Sequence, residues 1–405
     1  MNILYLCDEY SPGRHGGIGT SVQLLARQMA KMGHTVVVAG LYSPGYGGPD
    51  EFNDEGVKVY RYRWTIDGNW CCNQQNFFVR VVNRVFKDTG IMDRIIKKSL
   101  ALYKNKLESI IAEYKIDIIE MPDYNDYIHH CRSYTPFPVL SVPVVVKMNG
   151  SITYFNREAG KSVLPHILKM EQDILNKAAA VAGVSNYTAK KSALYFSYPH
   201  KIEVLYNGIN TDVPTGDVKK NPLQVIFTGT MVQKKGIYQL AKAWNIVIEQ
   251  MPAARLVILG KGSRQKVVRL LNAQAKSTVT FMGHVKTGEL YHHLAASVMA
   301  VFPSYAEAFA LAPLEAMACG TAVINSNRTS GPELVDDRVN GLLVDPGNTG
   351  QIAEAILYLL SNPEVTDSLA EKGNEKVKNV FEISKIAGQN ICYYQQVLNT
   401  TLLSK

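Results

Sequence analysis

Apolar residues fall into two alternating patterns along this chain. Short β-branched runs (NILYL, TVVVA, VKVYRY, IDIIEM, VPVVVKM, AAVAGVS and IEVLYN) occupy the first half, and LQVIFTG, ARLVILG, TVTFMG, SVMAVFPS, TAVINS and GLLVD the second. Between them lie stretches whose apolar positions recur every three or four residues, the spacing of amphipathic helices. Nearly continuous apolar strands separated by helices predict parallel sheets covered on both faces. The segment NTDVPTGDVKKNP divides the two sets of strands. Its proline, glycine and charge mark it as a linker, so the boundary is expected near 210–222. The expected architecture is α/β, with two Rossmann-like domains whose parallel sheets face each other across a cleft. Residues 1–209 form the first domain and 222–382 the second, and a last helix, 383–405, is expected to return to the first.

Val22, Leu25, Ala26 and Met29 share one helical face, Thr20 and Gln23 have capping-box spacing, and Gly33 reads as the stop. SPGRHGGIGT is then the loop between the first strand and the first helix, where a parallel sheet usually presents its ligand. Phe77, Val81 and Val85, with Phe78, Val82 and Phe86, also repeat at helical spacing. From Arg80 to Lys106 there are eight Lys/Arg against two Asp. That stretch reads either as a basic surface for an anionic acceptor or lipid headgroups, or as an ordinary solvated helix face.

A length of 405 residues suits two domains, and 46% hydrophobic with 19% charged residues describes a globular chain. No apolar run approaches the ~20 residues of a spanning helix. The first apolar run meets Asp8 and Glu9 at once, unlike a signal peptide. Six cysteines, with Cys71 and Cys72 adjacent, form no C-x-x-C pair and suit a reducing, cytoplasmic setting. The net charge of +8 suits an acidic ligand or an anionic membrane surface. No nucleic-acid-binding signature accompanies it, so no nucleic acid partner is expected. There is no DxD pair and no His/Cys/acid cluster at ligand spacing, so neither metal nor cofactor is expected.

The chemistry concentrates in VFPSYAEAFALAPLEAMACGTAVI. A strand ends at Pro303, a loop carries Glu307, and a helix is expected from about Ala310. Amides of Phe309, Ala310 and Leu311, with the positive end of the helix dipole, would favour a diphosphate. Carboxylates repel phosphate, so Glu307 and Glu315 are better suited to accept hydrogen bonds from sugar and ribose hydroxyls.

These residues resemble the retaining glycosyltransferases of family 4, which have the GT-B fold. Glu307 and Glu315, separated by seven residues inside PSYAEAFALAPLEAMACGT, match the family's paired glutamates. The resemblance implies that Glu307 contacts donor-sugar hydroxyls and Glu315 the ribose. In QVIFTGTMVQKKGIYQLAKAW, Gly229, Lys235 and Gly236 match the diphosphate-binding segment, but Thr230 stands where the family has arginine. The adjacent Lys234 is a candidate replacement for the missing charge. Gly16 and Gly17 resemble the family's Gly-Gly loop near the donor. Asn149, followed by Gly150, occupies the position of a common acceptor-side histidine, and Asn cannot titrate near neutrality.

Fainter matches place Ser185 as a helix N-cap, and Gly283, His284 and Val285 beside the nucleobase. The resemblance implies metal-independent hexosyl transfer from a nucleotide-sugar donor to a glycan or lipid-linked acceptor, with retention, as in polysaccharide or lipopolysaccharide biosynthesis. Peripheral contact with the inner face of a membrane is a further expectation. The alternatives are a sugar-nucleotide epimerase or phosphorylase on the same architecture, and an inactive nucleotide-sugar-binding module.

Overall fold

The structure, a computed structural model, describes residues 1–13, 16–42, 48–64, 84–87, 89–216 and 218–403. It divides into two compact units, Met1–Gly208 with Ile383–Lys405, and Ile209–Glu382.

The first unit is built on β1 (Asn2–Leu6), β2 (Thr35–Tyr42), β3 (Glu51–Asp54), β4 (Val57–Arg63), β5 (Ile118–Pro122), β6 (Val144–Met148), β7 (Ala180–Gly183) and β8 (Glu203–Val204). Their order in the sheet is β3-β4-β2-β1-β5-β6-β7-β8. Every pair is parallel except β3 with β4. The edge strand β3 is an antiparallel addition to the expected parallel sheet. EFND is short and half exposed, so it lacks the apolar run of the other strands. Its hairpin turns through Glu55 and Gly56, both at positive φ, a two-residue connection that only antiparallel strands allow. The central strand β1 serves both faces. Leu4 and Leu6 join one core, with Ile96 and Leu107 of the helix Ile91–Tyr114. Ile3 and Tyr5 join the other, with Leu25 and Met29.

The first helix spans Gly17–Lys31 with Gly16 as N-cap, which corrects two expectations. Thr20 lies inside the helix, its hydroxyl donating to Gly16 O at 3.0 Å, and the loop ends four residues earlier than the capping-box spacing suggested. The side chain that caps this end comes from elsewhere: Gly19 N donates to Glu9 Oε1 at 3.0 Å. Phe77, Phe78, Val81, Val82, Cys71 and Cys72 lie outside the described residues.

The last helix, Ile383–Leu403, buries Ile383, Ala387, Tyr394 and Val397 against the Ile3 and Tyr5 face. A buried polar network lies beneath it. Tyr394 OH donates to Glu120 Oε2, and Lys147 Nζ donates to Asn390 Oδ1 at 3.4 Å.

In the second unit, β9 (Asn221–Thr228), β10 (Arg255–Leu259), β11 (Val279–Gly283), β12 (Ser297–Phe302), β13 (Ala322–Ser326) and β14 (Leu342–Val344) form one parallel sheet. The order is β11-β10-β9-β12-β13-β14, around a core that includes Trp244, Phe227 and Ile324. The central β9 has β10 on one side and β12 on the other, so loops leaving β9 and β12 meet where the strand order reverses. That crevice is the usual ligand position in such sheets.

Candidate active site

In the second unit, glycine brings two loops into contact. After β9 the chain turns through Gln233–Lys235 to Gly236, at φ 71°. A Cβ at Gly236 would lie 1.8 Å from Pro303 O, so only glycine lets this turn press against the end of β12. Tyr305 N donates to Lys234 O at 2.8 Å and ties the loops together. The outcome is an ion pair between Lys235 Nζ and Glu307 Oε1 at 2.6 Å, with Glu307 the more enclosed partner. Lys234 stands close by: desolvation lowers its pKa, the Glu307 charge opposes that, and the Lys235 charge adds to it. Two ammonium groups and one carboxylate thus stand together at this corner, a set that can receive an anionic group.

Glu307 leads into the helix Leu311–Ala318, which has Ala310 as N-cap. The amides that open this helix have no carbonyl one turn back to receive them and carry the positive end of its dipole. The Phe309 ring packs edge-on against Phe381, with centroids 5.8 Å apart, so only its backbone is left for a ligand. Glu315, inside the helix, is half-buried, and desolvation pushes its carboxyl up to about 7. No side chain pairs with that carboxylate among the described residues.

This shift has a consequence for stability. The folded protein holds the Glu315 proton up to about pH 7, whereas an ordinary carboxyl releases it near 4.5. The contribution of Glu315 to stability is therefore present below pH 4.5 and lost as pH rises to about 7. Glu315→Gln is expected to match the wild type near pH 4.5 and exceed it by about 2 kcal/mol at pH 8, discounted for partial exposure. Denaturant unfolding at the two pH values measures this, and equal stability at pH 8 would refute it.

Two further second-unit positions remain. Thr230 is exposed at the end of β9. Val285 follows β11, two strands from β9 at the sheet's outer edge, in a loop that Gly283 enters at φ 74°.

Gly16, Gly17 and Asn149 belong to the first unit. A Cβ on Gly16 would meet Glu9 Oε2 at 3.1 Å, so Gly16 makes room for a carboxylate already on the helix start. A Cβ on Gly17 would meet nothing within 4 Å. Asn149 follows β6 and is tightly held. Its N–H donates to Asp123 Oδ1 at 2.7 Å, its Nδ2 to Lys147 O at 3.1 Å, and its Oδ1 accepts from Asn207 Nδ2 at 3.5 Å. Desolvation pushes buried Asp123 up to about 7, against hydrogen bonds from the Asn149 and Gly150 amides. Glu171 accepts from the amides of Ile152 and Thr153 at the next helix start, and desolvation raises it to about 6.

Sequence reasoning missed Glu9, Asp123 and Glu171, which hold these turns. They are far apart in the chain, and the available signal for Asp123 was its place one residue beyond a strand. Ser185 caps the helix Asn186–Phe196 through Thr188 N. Among the described residues no group of three His, Cys, Asp or Glu could hold a metal, and no helix is long and apolar enough to cross a membrane.

Comparison with known proteins matches both units. Residues 15–213 fit the family model described as Glycosyltransferase Family 4, and residues 210–376 fit Glycosyl transferases group 1. An uncharacterized glycosyltransferase of Methanocaldococcus jannaschii is 26% identical, with 98% of each chain covered. O-antigen chain mannosyltransferase B of Escherichia coli is 26% identical over 67% of this chain and 75% of its own. Sucrose-phosphate synthase from Thermosynechococcus elongatus superposes with a TM-score of 0.77 at 20% identity, over 98% of this chain and 99% of that one.

Proposed function

This chain belongs to the group 1, family 4 glycosyltransferases and has their GT-B fold, and we propose that it transfers a hexosyl group with retention and without a metal. The donor is a nucleotide-diphosphate sugar and the acceptor a hydroxyl of a glycan or lipid-linked sugar. The observation that carries this reading is the Lys235–Glu307 pair at the β9/β12 switch point, beside the start of the helix Leu311–Ala318.

In the proposed reaction the bond between the anomeric carbon and the diphosphate oxygen breaks. The acceptor oxygen bonds to that carbon on the same face, and its proton passes to the leaving diphosphate. Lys235, assisted by Lys234 where Thr230 lacks a guanidinium, would meet the charge that develops on the leaving group. Amides from Phe309 to Leu311 would bind the diphosphate, and Gly16 and Gly17 would let backbone approach the donor. Glu307 would exchange its ammonium partner for donor-sugar hydroxyls, Glu315 would hold the ribose, and Val285 would border the base. Asn149 cannot act as a base, so its role is to orient the acceptor, which suits a mechanism in which the leaving group takes the proton.

A thermal-shift screen of the full chain against UDP-, GDP- and ADP-sugars tests the donor. Similarity to mannosyltransferases described as GDP-mannose-dependent, at 26–29% identity over about half of this chain, puts GDP-mannose first in that screen. A true donor at 100 times its Kd adds about 2.7 kcal/mol to stability, a shift of several degrees. Product analysis on donor alone separates transfer from epimerisation, because an epimerase needs no acceptor. Binding without turnover over a broad acceptor panel would leave an inactive module instead.

A further inference from the structure

The loop that follows β13 carries a cation that the reaction proposed above does not use. Because β13 lies beside β12, with Asn325 opposite Phe302, this loop leaves the sheet next to the segment that leads to Glu307. The turn at 326–331 is closely fixed. Ser326 Oγ accepts from Arg328 N at 3.1 Å, Gly331 N donates to Arg328 O at 3.0 Å, and a Cβ at Gly331 would lie 1.8 Å from Ser326 O. Thr329 is held at φ 54°, a conformation that is costly for a β-branched residue and persists only where its surroundings impose it. Arg328 therefore projects from a backbone with little freedom.

The Arg328 guanidinium lies over the Tyr305 ring, 5.4 Å from its centroid, and Tyr305 N is the amide that donates to Lys234 O. Loops from three adjacent strands, β9, β12 and β13, thus bring Lys234, Lys235 and Arg328 to the edge of the sheet that carries Glu307.

Much of the guanidinium is still available. Its Nη2 donates to Asp345 Oδ1 at 2.7 Å, and its Nε and Nη1 make no hydrogen bond among the described residues. Those donors have the planar fork geometry that matches two oxygens of a phosphoryl group. The side chains of Arg328 and Asp345 are 45% and 42% exposed, so water screens the pair and exchanging it costs little. A diphosphate carries more charge than a carboxylate and offers more oxygens, so it can displace Asp345. The Tyr305 ring face supports the guanidinium during the exchange.

We propose that Arg328 binds the diphosphate of the donor, exchanging Asp345 for phosphoryl oxygens. That the ligand is a sugar donor rests on the transferase reading; the anion-binding role of Arg328 does not. Arg328 grips the diphosphate equally before and during bond breaking, so it sets the donor KM, whereas Lys235 acts on kcat.

The test uses the full chain and three variants: Arg328→Gln, Arg328→Lys and Asp345→Asn. Calorimetry with UDP, GDP, ADP and inorganic pyrophosphate reads binding, and initial rates read donor KM and kcat. For the ligand that the wild type binds, Arg328→Gln should weaken binding about 10-fold or more and raise donor KM in parallel, with kcat within about 3-fold. Arg328→Lys keeps the charge without the fork and should leave a loss of about 3- to 5-fold. Asp345→Asn separates binding from a merely structural role. The amide still accepts from Gly347 N–H, but the competing charge is gone, so binding should tighten about 2- to 3-fold. A pair that served only the fold would respond alike to the loss of either partner. Thermal midpoints should stay near the wild type, because the pair is exposed. Equal affinity in wild type and Arg328→Gln, weaker binding by Asp345→Asn, or a change confined to acceptor KM overturns the proposal. Nucleotide binding indifferent to Arg328 would leave the transferase reading intact. Pyrophosphate binding that depends on Arg328, with no nucleotide bound, would defeat the transferase reading while the anion-binding role stands. No binding of any of the four ligands by the wild type overturns both.

Discussion

Lys235→Met is expected to lower kcat/KM for sugar transfer by about 10³-fold, roughly 4 kcal/mol of transition-state stabilisation, with little change in thermal midpoint. The substitution keeps the length of the stem and removes the ammonium that lies 2.6 Å from Glu307. Two effects then act together. The leaving diphosphate loses its nearest counter-charge, and the Glu307 carboxylate facing it loses its ammonium partner. Glu307→Gln removes the second effect but also the acceptor for donor hydroxyls, and should cost about 10²- to 10³-fold. Because each side chain works through the other, the double variant should be little worse than the worse single one. Lys234→Met, which removes the more remote charge, should cost about 10-fold. Steady-state kinetics with saturating acceptor reads all four. Lys235→Met within tenfold of wild type would remove Lys235 as the counter-charge, and fully additive losses would mean that the two residues act independently.

The meeting of these two residues shows where sequence reading reaches and where it stops. The apolar runs from NILYL to GLLVD reveal parallel α/β layers because strands buried on both faces must be almost wholly apolar. β3 escaped because an edge strand pairs on one side only and can be polar; its one signal was Asp54-Glu55-Gly56, a tight-turn sequence. The loops carrying Lys235 and Glu307 could be placed at strand ends from pattern alone. That they touch depends on β9 lying beside β12 rather than β13, and strand order leaves no mark in residue spacing. Gly236 did leave a mark, because a Cβ there would collide with Pro303 O. The carboxylates Glu9, Asp123 and Glu171 were silent for a different reason. Each satisfies amides from a segment distant in the chain or a helix away, and such bonds exist only once the sheet has assembled. The Thr20 capping box misled because a local side-chain cap competes with a distant one, and Glu9 reaches the helix start first.

Under the last helix, a second large effect is expected, this one on stability. Glu120 and Lys147 are 4% and 3% exposed, on adjacent strands β5 and β6, and no ion-pair contact within 4 Å joins them. Each instead holds the helix Ile383–Leu403: Glu120 through Tyr394, Lys147 through Asn390. Burial lowers the Lys147 pKa, and the Glu120 charge opposes that shift. Between the folded and unfolded pKa values the unfolded chain binds the extra proton, so stability rises with pH across that window and falls as pH drops through the folded value. Glu120→Gln keeps an acceptor for Tyr394 but removes the opposing charge, extending the window toward neutral pH. It should cost about 3–5 kcal/mol at pH 7, and less at pH 9.5, where neutral Lys147 is easier to bury. Glu120→Gln with Lys147→Met removes both charges and should recover most of the loss, since a buried pair replaced by neutral groups of similar volume is close to neutral in stability. Denaturant unfolding followed by circular dichroism at both pH values measures the series. Equal losses at pH 7 and 9.5, or a double variant less stable than Glu120→Gln, would show that the two charges do not compensate each other beneath this helix.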